Sequence, residues 1–308
     1  MSSRPMPFQP TSTPVPAGDM WFEDFAVGQQ FTSGPREVTA ADLADFTRIS
    51  GDDHPLHTDA GHPALGGGGP ILQGPFGVAV AMGLLQSLGL SRDPVVGLLD
   101  THWHYRRPIR VGDVLRLRLT VIRCRRTRRD DRGVVTRHMA LIGGDGEVVQ
   151  EGTTSALLMA RGTGPDSVER AFGTVAWGKA LAERLGGDAR FSQAVASWDG
   201  TIGLRAGVQE VHLRIYRGSI VEVSSRAALG ATFTLEADEL TWLQMVTAPA
   251  NDFTRRSMRG EFAVRGNGYE YLRLTKPLNV IVDAARALAA GGAGGGLGDG
   301  EVAAELNR

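Results

Sequence analysis

The segment from Gln73 to Leu90 places the strongest constraint on the fold, because it is apolar on nearly every side of a helix. Its central part, residues 76–85, reads FGVAVAMGLL. A helix of this composition has no polar face to turn toward water, so we predict that it is buried all round. Its small residues, Gly77 and Gly83 among them, allow a sheet to approach closely.

A polar helix precedes this segment and strand patterns follow it. Residues 115–119 read LRLRL, the strict alternation typical of a half-buried strand. Residues 143–146, GGDG, are typical of a hairpin turn. Upstream, we predict a helix from Val38 to Ile49, with Thr39 as N-cap and Asp42 completing a capping box. The predicted strands are 103–105, 115–123, 134–142 and 148–159.

The short loop between these helices carries the strongest chemical signal. It places Asp52 and His57 five residues apart. Gly51 permits a positive-φ turn, and Pro55 biases the residue before it away from helix. A loop of this kind can aim a carboxylate and an imidazole at one water molecule. A water held between an acid and a base is what hydration of a double bond, or the reverse reaction, requires.

The motifs around this loop resemble those of the MaoC-like dehydratase family, the type 2 or (R)-specific enoyl-CoA hydratases. The resemblance covers about residues 19–162 and maps the family's catalytic pair onto Asp52 and His57. It implies a hot-dog fold, an antiparallel sheet around a central helix, working as a homodimer. The motifs that carry it are residues 21–28 (WFEDFAVG), 38–46 (VTAADLADF), 69–74 (GPILQG) and 107–113 (RPIRVGD).

The resemblance also implies a hydro-lyase reaction. Water adds reversibly to C3 of a trans-2-enoyl-CoA, and a proton reaches C2 from the same face, which gives an (R)-3-hydroxyacyl-CoA. Backbone N–H groups of Gly74 and Gly77, at the start of the central helix, would stabilise the oxyanion of the thioester. Coenzyme A enters as part of the substrate, and no cofactor is implied.

Two supporting positions depart from the family pattern. His54 stands where the family usually has Asn, and Gln73 stands where it usually has His. Either a specialised substrate or a weakened enzyme fits these departures. Two alternatives therefore stay open: an inactive lipid-binding or carrier protein that uses the hot-dog domain for dimerisation, and a dehydratase that acts on acyl-carrier-protein thioesters.

Arginine is abundant between residues 101 and 137, a segment that contains twelve arginines and only three acidic residues. Guanidinium groups bind phosphates well, so we predict that one or two of these arginines contact coenzyme A, with Arg106, Arg107 and Arg110 as the candidates. The others are expected to lie on the solvent-facing side of a sheet. The formal net charge of −1 and the lack of interleaved aromatic residues argue against nucleic acid. The histidines near Asp52 match no metal-ligand spacing, so no metal site is predicted.

The second half predicts a separate α/β domain at residues 168–291, after a linker at 163–167. It resembles the sterol carrier protein-like domain, which implies an apolar tunnel for a fatty acyl or sterol-like ligand. The aromatic and methionine residues that would line it are equally consistent with an ordinary core. They are Trp198, Phe233, Trp242, Met245 and Phe262. Helices are predicted at 168–185, 239–246 and 278–290, and strands at 198–204, 211–216, 219–223, 231–237 and 258–267.

The two predicted domains together make this an α+β protein. Its composition and chain ends give further expectations about its compartment and its tails. The single cysteine, Cys124, excludes an intrachain disulfide and favours a reducing compartment. Residues 1–18 form a proline-rich tail predicted to be disordered, and residues 292–308 a flexible, glycine-rich tail. No apolar run is long enough to span a bilayer. Lysine is almost completely replaced by arginine, and we predict a bacterial, cytoplasmic protein.

Overall fold

The structure is a computed structural model that describes residues 12–162, 167–228 and 230–291. The chain divides into two compact units, Met1–Asp166 and Ser167–Arg308. The predicted tail at 292–308, most of the predicted linker and residues 1–11 of the proline-rich tail lie outside the described residues. Within the proline-rich N-terminal tail predicted at residues 1–18, Thr13 is attached to the fold. Its N–H donates to the Gln30 carbonyl, and its hydroxyl accepts from the Gln30 N–H.

The N-terminal unit contains one antiparallel sheet and one long helix. After a 3₁₀ turn at Phe22–Asp24, its strands are β1 (Gln30–Thr32), β2 (Arg36–Glu37), β3 (Val95–Tyr105), β4 (Val114–Arg126), β5 (Arg132–Ile142) and β6 (Val148–Met159). The helices are α1 (Ala40–Ser50), α2 (Pro55–Thr58) and α3 (Gly74–Ser87), with a 3₁₀ turn at Pro63–Leu65. The strand order is β1-β4-β5-β6-β3, and β2 pairs with β4.

The helix α3 packs one face against the inner face of this sheet. Its buried residues include Phe76, Val80 and Leu84, which join a core with alternate residues of β4 and β5 such as Leu119 and Met139. The prediction that this helix is buried all round is wrong for the single unit. The opposite face of α3 is exposed, because one sheet can cover only one side of a helix; its exposed residues are Pro75, Ala79, Gly83 and Gln86.

The locally encoded elements of this unit are confirmed. Thr39 and Asp42 form the predicted capping box at the start of α1. The strands predicted at 115–123, 134–142 and 148–159 correspond to β4, β5 and β6. The Gly146 N–H donates to the Gly143 carbonyl and closes the predicted turn between β5 and β6. Only β3 differs substantially, because it begins at Val95 rather than at residue 103.

Strand β3 forms an exposed edge of the sheet. Among the described strands it pairs with β6 alone. Nine of its eleven residues are exposed, and large apolar side chains are among them. These are Val95, Val96, Leu98, Leu99 and Tyr105, each at least 41% exposed. An edge of this kind offers free backbone groups and apolar surface to another chain.

The second unit is a five-stranded sheet with helices. Its strands are β7 (Asp199–Ala206), β8 (Gln209–Tyr216), β9 (Ser219–Ser224), β10 (Phe233–Ala237) and β11 (Ala263–Gly266), in the order β11-β10-β7-β8-β9. The β10–β7 pairing is parallel and the others are antiparallel. The helices are α4 (Val175–Gly186), α5 (Ala189–Ala194), α6 (Glu239–Thr247), α7 (Phe253–Met258), α8 (Gly268–Arg273) and α9 (Thr275–Gly291).

Aromatic side chains fill the centre of the second unit. Trp242 meets Trp177 edge to face at 5.8 Å between ring centroids and meets Phe262 at 5.4 Å. All five residues proposed for a lipid tunnel are buried, with at most 5% of each exposed. This packing favours the alternative in which they form an ordinary core. Among the described residues, no helix is long and apolar enough to cross a membrane.

Some boundaries in the second unit differ from the sequence prediction. The first helix begins at Val175 rather than at residue 168, because Thr174 is its N-cap and accepts a hydrogen bond from the Trp177 N–H. The strand predicted at 258–267 is limited to β11. The three short helices α5, α7 and α8 were not predicted. Each has six residues, which is too short for helical periodicity to show in a sequence.

Candidate active site

The site begins where α1 ends in a left-handed turn. Gly51 has φ of +72° and its N–H donates to the Thr47 carbonyl, so the chain leaves the helix sharply. Four residues later, Pro55 occupies the first turn of α2, where its missing N–H costs nothing. The two turns fix a short loop that carries Asp52, while His57 lies on the short helix α2 that follows. The prediction that both residues lie on one loop is therefore wrong for His57, because Pro55 starts a helical turn rather than preventing one.

Asp52 and His57 lie side by side. The distance from Asp52 Oδ2 to His57 Nε2 is 3.6 Å, and the Asp52 side chain is 49% exposed while that of His57 is 12% exposed. The other ring nitrogen, Nδ1, is 2.7 Å from the Ile71 carbonyl oxygen. A carbonyl only accepts, so Nδ1 carries the proton and Nε2 of the neutral ring has a free lone pair. Both functional atoms can therefore contact one water molecule.

Gln73 holds this loop against the start of α3. Its Nε2 donates to the backbone carbonyl of Asp52 at 2.8 Å and to the Thr47 hydroxyl at 2.9 Å. The residue is only 1% exposed, and its Oε1 has no hydrogen-bond partner among the described residues. The amide thus ties α1, the loop and α3 together at the predicted supporting position.

His54 supports the loop as a helix cap. Its Nδ1 accepts a hydrogen bond of 3.2 Å from the Leu56 N–H, and its carbonyl accepts from the His57 N–H. The ring centroid of His54 is 6.3 Å from that of His57. The side chain therefore orients α2, on which His57 lies, through backbone contacts.

The start of α3 provides backbone donors next to the pair. Gly74 is the first residue of the helix, and its N–H belongs to the group that has no intrahelical partner. Gly77 lies one turn further on, where the N–H of a regular helix bonds to the Gln73 carbonyl. Geometry therefore favours Gly74 over Gly77 as an oxyanion donor.

Gly77 has a different importance, which is close packing. A Cβ on Gly77 would overlap the side chain of Gln150 on β6. Gln150 is itself fixed, because its Oε1 accepts from Trp103 Nε1 at 2.8 Å and its Nε2 donates to the Gly74 carbonyl at 3.3 Å. The glycine lets the helix approach the sheet at the level of the candidate site.

The three arginines proposed for coenzyme A make different contacts. Arg106 pairs with Glu151 at 2.8 Å, and Arg107 pairs with Asp145 at 2.8 Å. Arg110 donates to the carbonyl oxygens of Gly68 and Gly69, so it holds the glycine-rich loop that precedes α3. The Asp113 carboxylate accepts only from the backbone N–H of Arg110. Among the described residues the Arg110 guanidinium pairs with no acidic side chain, which leaves its charge available to a ligand.

An acid–base network on the sheet was missed by the sequence prediction. His138 Nε2 on β5 lies 3.2 Å from Glu151 Oε2 on β6. The hydrogen bond from His138, together with Arg106, lowers the pKa of Glu151 from 4.5 to about 2. The residues are far apart in sequence, so only strand pairing brings them together. Among the described residues, no cluster of three or more histidine, cysteine or acidic side chains has an arrangement that could hold a metal ion.

An antiparallel sheet that covers one long helix is the hot-dog arrangement, and in this unit an acid–histidine pair lies at the start of that helix. The family profile described as "MaoC like domain" matches residues 24–141. Residues 24–141 therefore form a MaoC-like domain, which confirms this part of the resemblance. A comparison with curated protein sequences gave no match.

Solved structures similar to the chain cover about half of it. A MaoC-like dehydratase from Rhodospirillum rubrum is 31% identical and covers 47% of this chain and 99% of its own, with a TM-score of 0.41. A monoamine oxidase regulatory protein from Archaeoglobus fulgidus is 26% identical and covers 47% and 97%, with a TM-score of 0.43. The (R)-hydratase of A. caviae involved in PHA biosynthesis is 23% identical and covers 44% and 97%, with a TM-score of 0.37.

Proposed function

We propose that the N-terminal unit catalyses reversible syn hydration of a 2-enoyl-CoA to an (R)-3-hydroxyacyl-CoA. The observation that carries this proposal is the Asp52–His57 pair, with 3.6 Å between Oδ2 and Nε2. The MaoC-like domain at residues 24–141 supports the general reaction class. The coenzyme A part of the substrate and the (R) configuration of the product are proposed on the sequence resemblance alone.

Water is held between two acceptors in this mechanism. It donates one hydrogen to Asp52 and the other to His57 Nε2, which is free because Nδ1 is bound to the Ile71 carbonyl. The water oxygen attacks C3 of the enoyl thioester while the pair takes one proton. The pair then returns a proton to C2 from the same side, which gives syn addition. Dehydration follows the same steps in reverse.

The thioester oxygen gains negative charge as the water attacks. The Gly74 N–H and the positive end of the α3 dipole would stabilise this charge. Pro75 follows immediately and has no N–H, so Gly74 is the foremost donor of the first turn. Gln73 contributes by positioning, because the same residue caps α3 and holds the Asp52 carbonyl.

Of the three arginines, Arg110 is the one we assign to binding the phosphates of coenzyme A. The Arg110 guanidinium is bound to the carbonyl oxygens of Gly68 and Gly69, whereas Arg106 and Arg107 are paired with acids. A phosphate would have to compete with those acids. An acyl-carrier-protein thioester would use the same pair with a different handle and remains the alternative within this reaction class.

A homodimer is also proposed for the N-terminal unit. The exposed apolar edge of β3 would be covered by the same edge of a second copy, which removes the free strand edge. Proteins with exposed apolar patches of this kind commonly associate through them.

The reaction is tested with enoyl-CoA substrates of several chain lengths, by following the loss of the conjugated thioester absorbance. The intact protein should consume them, and chiral analysis of the product should give the (R) isomer. His57→Ala should remove nearly all of the activity. Turnover by His57→Ala equal to that of the wild type would contradict the mechanism, and a lack of turnover by the intact protein would favour an inactive carrier domain.

The acyl- or sterol-binding role of residues 168–291 stays a prediction, as do the bacterial origin and the cytoplasmic location. The packed aromatic centre of the second unit leaves this role resting on the sequence resemblance. Titration of the intact chain with a fluorescent fatty acid tests it. Saturable binding would support the role, and a lack of saturable binding would remove it.

A further inference from the structure

A single arginine interrupts the apolar inner face of the sheet. Arg137 on β5 lies between Val135 and Met139 on the face that packs toward α3, and it is only 6% exposed. Its neighbours across the sheet are Val121 on β4 and Thr154 on β6, both buried. Arginine at such a position is rare unless its charge is paired.

Arg137 has no partner of its own. Among the described residues its side chain forms no hydrogen bond or ion pair, and its Nε is buried without an acceptor. Burial lowers the pKa of Arg137 from its ordinary value to about 10, so it stays charged near neutral pH. A buried charge without a counter-group is strongly unfavourable, and buried charges in proteins are normally paired. A ligand anion could supply the partner that Arg137 lacks.

The guanidinium lines a cavity of about 190 Å³ between α3 and the sheet. This volume is several times that of one water molecule. The remaining lining is mainly apolar and contains no acidic residue; it consists of Phe25, Met82, Leu85, Gln86, Leu90, Ser91, Val95, Leu98 and Ala156. The cavity therefore suits an apolar chain that ends in an anion.

Two rows of residues run from the candidate active site toward this cavity. On α3, Gly74, Val78 and Met82 follow one another at four-residue spacing and are all half-buried. From Gly74 to Met82 the helix rises about 12 Å. On β6, Gln150 contacts the start of α3, and Thr154 lies opposite Arg137. The strand covers about 13 Å between these two residues.

We propose that this cavity receives the distal end of the acyl chain and that Arg137 binds a carboxylate there. The substrate is then an enoyl thioester with a second carboxylate at its far end. An extended chain advances about 1.2 Å per bond, so a span of about 12 Å corresponds to an acyl chain of about ten carbons. This inference rests on the proposed hydratase function and names its substrate class.

Turnover provides the first test. Two 2-enoyl-CoA substrates of about ten carbons, one ending in methyl and one in carboxylate, are compared on the intact chain. The wild type should prefer the carboxylate, and Arg137→Met should lower kcat/KM for that substrate at least about 30-fold without lowering it for the methyl-ended one. Arg137→Lys, which keeps the charge, should retain part of the preference. Arg125→Met is the matched control, because Arg125 is exposed on the neighbouring strand β4.

Binding provides a second test that does not depend on turnover. An alkyl carboxylate of about ten carbons and its methyl ester are titrated by calorimetry. The wild type and Arg125→Met should bind the carboxylate more tightly, and Arg137→Met should bind the two equally. If no thioester is consumed but this difference appears, the hydratase proposal fails while the anion site stands.

Three results would overturn the inference. The first is a wild type that prefers the methyl-ended thioester, with a preference unchanged in Arg137→Met. The second is tight binding of the free carboxylate without any preference for the carboxylate-ended thioester, which would make the cavity a fatty-acid site. The third is an effect of Arg137→Met on oligomeric state alone, which would mean that a second copy supplies the counter-charge.

Discussion

Replacing Asp52 with Asn tests the mechanism with the smallest change in structure. The side chain keeps its shape, and the bond from Gln73 to the Asp52 backbone carbonyl does not involve the altered atoms. Because the Asp52 side chain is 49% exposed, we expect the free energy of unfolding to change by less than about 0.5 kcal/mol. The variant should therefore fold as the wild type does.

The effect on rate should be far larger. When His57 takes a proton, its Nε2 carries positive charge 3.6 Å from the Asp52 carboxylate. At that distance and an effective dielectric constant of about 20, the attraction is about 4–5 kcal/mol, and the exposure of Asp52 reduces it. The loss of a general acid or base commonly lowers a rate by about 10²–10⁴-fold. We therefore expect Asp52→Asn to lower kcat at least about 100-fold.

The measurement is the disappearance of enoyl-CoA absorbance at saturating substrate, with thermal unfolding recorded on the same preparations. Asp53→Asn is the matched control, because Asp53 is the adjacent residue, is exposed, and contacts its neighbours through its backbone carbonyl. The control should keep wild-type activity. A rate for Asp52→Asn within about threefold of the wild type would refute the assigned role, and so would an equal loss in both variants.

Two further predictions concern packing and pH. Gly77→Ala should destabilise the N-terminal unit by about 1–3 kcal/mol, because its methyl group would overlap Gln150. The control is Gly83→Ala, which has open space at its Cβ and should raise Tm instead. Equal Tm changes in the two variants would contradict the packing argument. The pKa of Glu151 is lowered from 4.5 to about 2 by His138 and Arg106, so its stabilisation is present above pH 4.5 and is lost as pH falls toward 2. Glu151→Gln should therefore unfold with a weaker dependence on pH in that window, by about 1–2 kcal/mol in total after screening, and an unchanged acid-unfolding curve would exclude the network.

The elements that the sequence predicted well are those whose signals are local. The capping box of Thr39 and Asp42 lies within four residues, and it appears in the structure as written in the sequence. The same holds for β4, whose alternation repeats every second residue, and for the tight turn at Gly146. In each case the determining contacts are between near neighbours in the chain, so one sequence contains the whole signal.

The errors share a different cause, which is dependence on distant partners. Strand β3 begins eight residues earlier than predicted because it pairs along its length with β6, about 50 residues away. The apolar pattern of α3 predicted complete burial, but only one face meets the sheet of its own unit. A sequence shows which side chains avoid water, and it does not show how many layers are present to cover them.

In the candidate site, too, contacts between near neighbours in the chain were predicted and contacts with distant segments were not. Asp52 and His57 were predicted as a pair because five residues on a stiff loop determine their separation. The carbonyl of Ile71, which sets the His57 tautomer, comes from a segment 14 residues away. Arg137 was counted among many arginines of a strand-rich region, and only the strand register shows that it faces inward.

The two departures from the family pattern are compatible with an active site, on the contacts that the structure gives them. His54 uses Nδ1 as an acceptor for the Leu56 N–H, which is a contact that the oxygen of an Asn side chain can also make. Gln73 donates two hydrogen bonds that hold Asp52 and Thr47 in place. Neither change disturbs the approach of Asp52 to His57. About 12 Å along α3 an unpaired guanidinium lines the cavity, and under the proposed function its consequence is substrate choice rather than loss of chemistry.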